Sequence, residues 1–185
     1  ALDEAVAKAT YALPISHFGK DSWTLEPPDV VALLQKIRAV GCGLGQLPNI
    51  QFFRGVTTGC NEAFVIDTKT RDVLIAEDSS AKEIIKPYLR GQDVQRWRPQ
   101  WSNLWIIFAR RGIDISAYPS IEAHLKKFRT ELEPKPDGWQ PAVEGEKWKG
   151  RKEGTYAWYE IQDSVEYFPV FEGPKIIYQA IQFHP

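Results

Sequence analysis

The strand and turn pattern of this chain is set by residues 55–67, which read GVTTGCNEAFVID. Two glycines and several short polar side chains in this stretch are typical of tight turns. The apolar residues 63–66 after the turn predict a strand, and residues 50–53 before it predict another. A third short strand is expected at residues 73–75, so this part of the chain is predicted to be an antiparallel meander.

Two helices are predicted because apolar residues recur at three- and four-residue spacing. The first is expected to have Asp29 as its cap and to end at Gly41, and its apolar residues are Val30, Leu33, Leu34 and Ile37. The second starts at Pro119, and its apolar residues are Ile121, Leu125, Phe128 and Leu132. A shorter helix is predicted from Ser79 or Ser80 toward Ile85.

Further strands are predicted at residues 104–108, 156–161 and 175–178. Residues 133–155 form the longest irregular stretch, rich in Pro, Gly and Lys, and predict a long basic loop. This order of elements favours an α+β fold, with small, mostly antiparallel sheets and packed helices.

With 185 residues, 43% of them hydrophobic, the chain is long enough to bury one sizeable core. We predict that residues 1–22 are a linker and that residues 23–185 are one domain containing the 133–155 loop. The chain begins at Ala1 and contains 0 Met, which we interpret as the sign of a fragment or a processed chain. Its 2 Cys lack metal-binding spacing and its apolar stretches are short, so we expect no structural zinc, no membrane association and a cytoplasmic location.

A net charge of -1 argues against a protein that coats nucleic acid generally, so any such contact requires local clusters of basic residues. The first cluster lies between residues 86 and 111 and contains one acid, Asp93. Its basic residues are Lys86, Arg90, Arg96, Arg98, Arg110 and Arg111. The second lies in the 133–155 loop and consists of Lys147, Lys149, Arg151 and Lys152.

Four motifs in a fixed order resemble one known family. They are residues 55–67 (GVTTGCNEAFVID), 84–94 (IIKPYLRGQDV), 158–160 (WYE) and 172–178 (EGPKIIY). On these motifs, the chain from about Trp23 onward resembles the TaqI-like C-terminal specificity domain of type IIG restriction-modification enzymes and adenine-specific DNA methyltransferases. The length and basicity of residues 133–155 depart from the family pattern.

The resemblance implies a target-recognition domain that binds double-stranded DNA and carries no catalytic, metal or cofactor residues of its own. S-adenosylmethionine and adenine-N6 methylation are expected in a methyltransferase domain of the same protein, N-terminal to this chain. The expected DNA contacts are Thr57, Thr58, Asn61, Lys86, Arg90, Arg96, Arg98, Lys147, Lys149, Arg151 and Lys152.

The types of these residues suit DNA. Guanidinium groups at Arg90 and Arg96 reach guanine edges or phosphates, and the indole of Trp97 packs or stacks beside them. Alternatively, Arg90 forms an ion pair with Asp93 that ties down its own loop. Thr58 and Asn61 either contact DNA or satisfy the backbone of their own turn.

Two other functions compete with DNA target recognition. A metal-dependent endonuclease would use Asp29 and Asp67 as paired carboxylates, with Lys69 aiding the attacking water. A protein-interaction module would place the two basic clusters on different faces.

Overall fold

A computed structural model describes residues 2–15, 18, 20, 23 and 25–179. The chain forms two compact units, Ala1–Phe53 and Arg54–Pro185, which are described separately. It combines helices with small antiparallel sheets, which confirms the predicted α+β class. The first unit ends at Phe53, and the predicted linker, residues 1–22, lies within it. Of the predicted linker, residues 1, 16, 17, 19, 21 and 22 lie outside the described residues.

The first unit contains α1 (Leu2–Ala9), α2 (Pro28–Val40) and a short 3-10 helix at Leu44–Gln46. Helix α2 confirms the first predicted helix, because Pro28 starts it and Gly41 follows its last residue. The prediction that Asp29 caps this helix is wrong, since Asp29 lies inside the first turn.

Residues 50–53, also in the first unit, were predicted as a strand. They have no regular structure, and their side chains are exposed. A strand requires a neighbouring strand for its main-chain hydrogen bonds, and local sequence does not supply one.

In its described residues, up to 179, the second unit forms five strands and four α-helices. The strands are β1 (Val65–Asp67), β2 (Ile85–Tyr88), β3 (Val94–Gln95), β4 (Arg98–Pro99) and β5 (Leu104–Ile107). The helices are α3 (Asn61–Phe64), α4 (Thr68–Glu77), α5 (Pro119–Lys126) and α6 (Arg129–Leu132). Short 3-10 helices lie at Ser79–Glu83, Gly91–Asp93, Ile115–Ala117 and Phe168–Phe171.

A three-stranded antiparallel sheet in the order β1-β5-β2 forms the centre of this unit. In its register Asp67 and Tyr88 both lie opposite Leu104, and Ile85 lies opposite Ile107. The sheet therefore has two distinct ends. We call the end where β1 and β2 finish the hairpin end, and the end where they begin the loop end.

The hydrophobic core lies against the sheet face that carries Ile66, Ile85 and Ile107, all of them buried. The fully buried side chains of Ile121 and Leu125 come from α5, which begins at Pro119 as predicted. The predicted helix does not continue unbroken to Leu132, because two turn residues separate α5 from α6. No helix in the described part of the chain is both long and apolar enough to cross a bilayer.

Residues 73–75 were predicted as a strand, and this prediction is wrong because they lie in α4. The carboxylate of Asp67, the last residue of β1, accepts a hydrogen bond of 2.8 Å from the Thr70 N–H and caps the helix. Leu74 is the single buried residue of α4, so the sequence of this helix shows no apolar stripe.

Three further predictions differ from the structure. Residues 63–66 are divided between α3 and β1. The helix expected after Ser79 is a 3-10 helix, Ser79–Glu83, which only Ile84 separates from β2. Pro87 is tolerated within β2 because this strand is an edge of the sheet. Residues 156–161 and 175–178 contain no strand, whereas residues 104–107 form β5 as predicted.

Candidate nucleic-acid interface

The predicted DNA contacts fall into two groups at opposite ends of the three-stranded sheet. Arg90, Arg96 and Arg98 follow the end of β2 and lie toward the hairpin end. Thr57, Thr58 and Asn61 precede β1 and lie toward the loop end, where Arg151 hydrogen bonds to Thr58. Strands rise about 3.3 Å per residue, so strands of three or four residues separate the groups by roughly 10 Å along the sheet. Lys86 is exposed between them, in β2.

At the hairpin end, β3 and β4 form a two-stranded hairpin whose tip consists of Arg96 and Trp97. Trp97 is 90% exposed, and its backbone φ is positive, at 69 degrees. The Arg96 guanidinium carbon lies 5.6 Å from the centre of the Trp97 ring. Arg96 and Arg98 are exposed, and neither forms an ion pair within the described residues. The tip therefore presents an exposed aromatic ring whose residue lies between two arginines in sequence, neither of them in an ion pair within the described residues.

The base of the hairpin is held by a hydrogen-bond network around Asp93, which is 4% exposed. Its carboxylate accepts hydrogen bonds from the Arg90 side chain at 2.9 and 3.1 Å and from the Arg90 main-chain N–H at 2.9 Å. The Ser102 hydroxyl donates a further bond of 2.8 Å. The hydrogen bonds from Arg90 hold the pKa of the Asp93 carboxyl well below its usual range.

This network places Arg90 in the ion pair that the sequence left as an alternative to DNA contact. Its side chain remains 38% exposed, but two of its guanidinium nitrogens are occupied by Asp93, and one of them also donates to Ser102. Arg90 consequently anchors the loop that carries Arg96, Trp97 and Arg98.

Sequence reasoning missed an aromatic and cationic group at the same end of the sheet. Trp101 and Trp105 pack edge to face with ring centres 5.2 Å apart, and the Arg71 guanidinium lies 4.0 Å above the Trp105 ring. Trp101 is 41% exposed. The three tryptophans at positions 97, 101 and 105 were the available signal, but Arg71 comes from α4 and only the packing of α4 on β5 brings it there.

At the loop end, the turn before α3 satisfies much of its own hydrogen-bonding capacity. The buried Thr58 hydroxyl donates to the Asn61 side chain at 2.8 Å and accepts from the Cys60 N–H at 3.2 Å. The Thr57 N–H donates to the Asp163 carboxylate at 3.0 Å. Of the two alternatives that the sequence offered for Thr58 and Asn61, the structure therefore contains the contacts within the turn. Asn61 itself is exposed.

Arg151 was predicted as a DNA contact together with the loop lysines, but it lies in the interior with 3% of its surface exposed. Its guanidinium donates hydrogen bonds of 2.7–3.2 Å to five main-chain carbonyls. The acceptors are Thr58, Leu132, Ala157, Trp158 and Glu160. Burial lowers the pKa of this guanidinium. Since its donors are occupied inside the fold, Arg151 binds the protein itself and is no surface contact.

Gly59 shows how closely the chain is packed around Arg151. Its φ of +82 degrees is unfavourable for other residues, and a Cβ atom there would lie 2.7 Å from the Arg151 side chain. Glycine at this second position of the 55–67 motif therefore suits both the positive φ and the close approach of Arg151 and Gln162.

The remaining loop cations are exposed. Lys147, Lys149 and Lys152 all have exposed side chains, and none forms an ion pair in the described part of the chain. Lys147 and Lys149 border a surface pocket beside Trp139 and Trp148, whose rings pack edge to face at 5.7 Å. The four predicted contacts in this loop thus divide into three exposed lysines and one interior arginine.

The endonuclease alternative requires Asp29 and Asp67 as paired metal ligands. Asp67 caps α4, and its hydrogen bonds with Thr70 lower the pKa of its carboxyl. Asp29 belongs to the first unit and Asp67 to the second. Among the described residues, no group of three or more His, Cys, Asp or Glu side chains is placed to hold a metal ion.

No family model matches the chain, and no curated protein matches it.

Proposed function

We propose that Arg54–Pro185 is a DNA target-recognition domain, which binds duplex DNA and presents a chosen adenine to a methyltransferase domain outside this chain. The observation that carries the proposal is the hairpin tip, where the exposed Trp97 lies between Arg96 and Arg98 in sequence. The resemblance of four motifs to the TaqI-like specificity domain supports the methylase context.

The charge of the hairpin suits DNA in particular. Because the chain as a whole carries a net charge of -1, it has no general attraction for phosphates, and binding depends on local uncompensated cations. The hairpin end supplies Arg96 and Arg98, and the loop supplies Lys147, Lys149 and Lys152. Phosphate contacts from such residues set the register, and side chains that reach base edges supply sequence choice.

A rigid hairpin is also a better reader of DNA than a flexible loop. The Arg90–Asp93–Ser102 network fixes the base of the hairpin, so the tip residues lose less conformational freedom on binding. Arg90 therefore supports binding indirectly, through the position of the tip.

The test is fluorescence anisotropy of the 185-residue chain with a labelled mixed-sequence duplex, titrated from about 50 mM to about 200 mM salt. We expect affinity to fall steeply with salt, and the double variant Arg96→Ala/Arg98→Ala to reduce the salt slope by about 2. The matched control is Lys126→Ala/Lys127→Ala, which removes the same charge from the end of α5.

Affinity that is independent of salt, or an equal loss of slope in the two double variants, would contradict the proposal. Magnesium-dependent cleavage of the duplex that is lost in Asp67→Ala would support the endonuclease alternative in its place.

A further inference from the structure

We propose that Trp97 is a wedge residue, whose indole ring inserts into the base stack of the bound DNA and stacks on a nucleobase there. The proposal rests on the proposed DNA-binding function and adds a specific contact to it. It begins from an unusual exposure, because 90% of the surface of the Trp97 side chain is open to solvent.

The backbone at Trp97 holds the ring at the tip at some cost. Its φ of 69 degrees lies in the left-handed region, which is unfavourable for a bulky aromatic residue and natural for glycine. Arg96, the other tip residue, has no such conformation. Local backbone strain at an aromatic side chain that contributes nothing to the core is typical of a functional contact.

The surroundings of the ring point to a nucleic acid as the partner. Arg96 lies next to the ring, with its guanidinium carbon 5.6 Å from the ring centre, and Arg98 follows on β4. We expect these cations to bind phosphates next to the step that an inserted ring opens. Proteins that kink or open duplex DNA use an apolar wedge with basic residues beside it in this way.

The mechanical requirement of a wedge is also met. Opening a base step costs unstacking energy, so the wedge has to be fixed on a rigid support. The hairpin is held at its base by the Asp93 carboxylate, which binds both Arg90 and Ser102, and the Gln100 N–H donates to the Asp93 carbonyl at 2.7 Å. A further hydrogen bond of 2.8 Å runs from the Gln179 side chain to the Val94 carbonyl.

The experiment compares an intact mixed-sequence duplex with the same duplex carrying a central abasic site. An abasic site leaves a gap in the stack, so a wedge enters it without separating paired bases. We expect the wild-type chain to bind the abasic duplex roughly tenfold more tightly, and Trp97→Ala to lose this preference. Trp97→Phe, which retains a ring, should keep part of it. Phe52→Ala removes an exposed aromatic ring of the first unit, outside the proposed interface, and should keep all of it.

A second variant, Trp97→Gly, distinguishes loss of the ring from loss of stability, because it removes the ring and also relieves the backbone strain. Glycine adopts the positive φ without strain, so this variant should unfold at higher denaturant concentration than Trp97→Ala while also lacking the abasic preference. If the circular dichroism spectrum of Trp97→Ala differs from that of the wild type, Trp97→Gly takes its place in the binding comparison.

The possible failures are distinguishable. Absence of salt-dependent DNA binding by the wild-type chain would overturn the proposed function. Salt-dependent binding with the same abasic preference in wild type, Trp97→Ala and Trp97→Gly would overturn the wedge and leave the proposed function intact.

Discussion

The hairpin cluster (Arg96, Trp97 and Arg98) and the loop cluster (Lys147, Lys149, Arg151 and Lys152) look alike in sequence, since both combine basic residues with nearby tryptophans. In the fold they differ. The arginines of the hairpin tip are exposed and form no ion pair within the described residues, whereas Arg151 is buried and bound to five carbonyls. The comparison shows that whether an arginine is exposed or buried depends on the main-chain acceptors that the fold brings around its guanidinium group.

The largest expected effect comes from the buried member of this comparison. Arg151→Met should lower the free energy of unfolding by about 3 kcal/mol or more, because it leaves several interior carbonyls without their donor. Arg151→Lys should also destabilise, since an ammonium cannot reproduce the forked geometry of five hydrogen bonds. Urea unfolding measures both variants. A stable Arg151→Met chain that no longer binds DNA would show that Arg151 is a contact after all.

An intermediate effect is expected at the base of the hairpin. Asp93→Asn should lower the free energy of unfolding at pH 7 by about 1–2 kcal/mol, because an amide nitrogen replaces an oxygen that accepts from Arg90. The pKa of Asp93 is lowered in the folded state, so its stabilisation is present above the unfolded-state pKa of about 4 and is lost as pH falls below it.

The difference between wild type and Asp93→Asn should therefore shrink from pH 7 to about pH 3, as measured by urea unfolding at each pH. A difference that is constant over this range would exclude the Arg90–Asp93 ion pair as its source.

The smallest effect on stability is expected at the exposed loop lysines. Lys149→Ala/Lys152→Ala should change the free energy of unfolding by less than about 0.5 kcal/mol, because both side chains are exposed. If the loop faces the DNA, the same variant lowers the salt slope of binding by about 2, as the hairpin variant does. An unchanged slope would restrict the interface to the hairpin end.

Elements with strong local signals were predictable from sequence. Helix α5 begins at its proline and α2 at the proline before Asp29, because a proline at the first turn has its φ already set for a helix. Strand β5 was recognisable as an apolar run between polar neighbours. In contrast, residues 73–75 became helical because Asp67 caps α4, a hydrogen bond that strand propensity does not reveal.

The candidate site was predictable only in part, for a similar reason. Sequence identified Arg96, Arg98 and Trp97 as neighbours, and a two-residue hairpin keeps neighbours together. It missed Arg71, which reaches Trp105 from another element, and it grouped Arg151 with surface lysines.

By itself, therefore, the sequence determined the α+β class, the proline-initiated helices and the position of each basic cluster along the chain. Only the tertiary structure decided which cations face solvent. The hydrogen bond from Arg151 to the Thr58 carbonyl joins residues far apart in sequence, and such bonds form only when distant segments have packed together. The local spacing of residues therefore does not predict them.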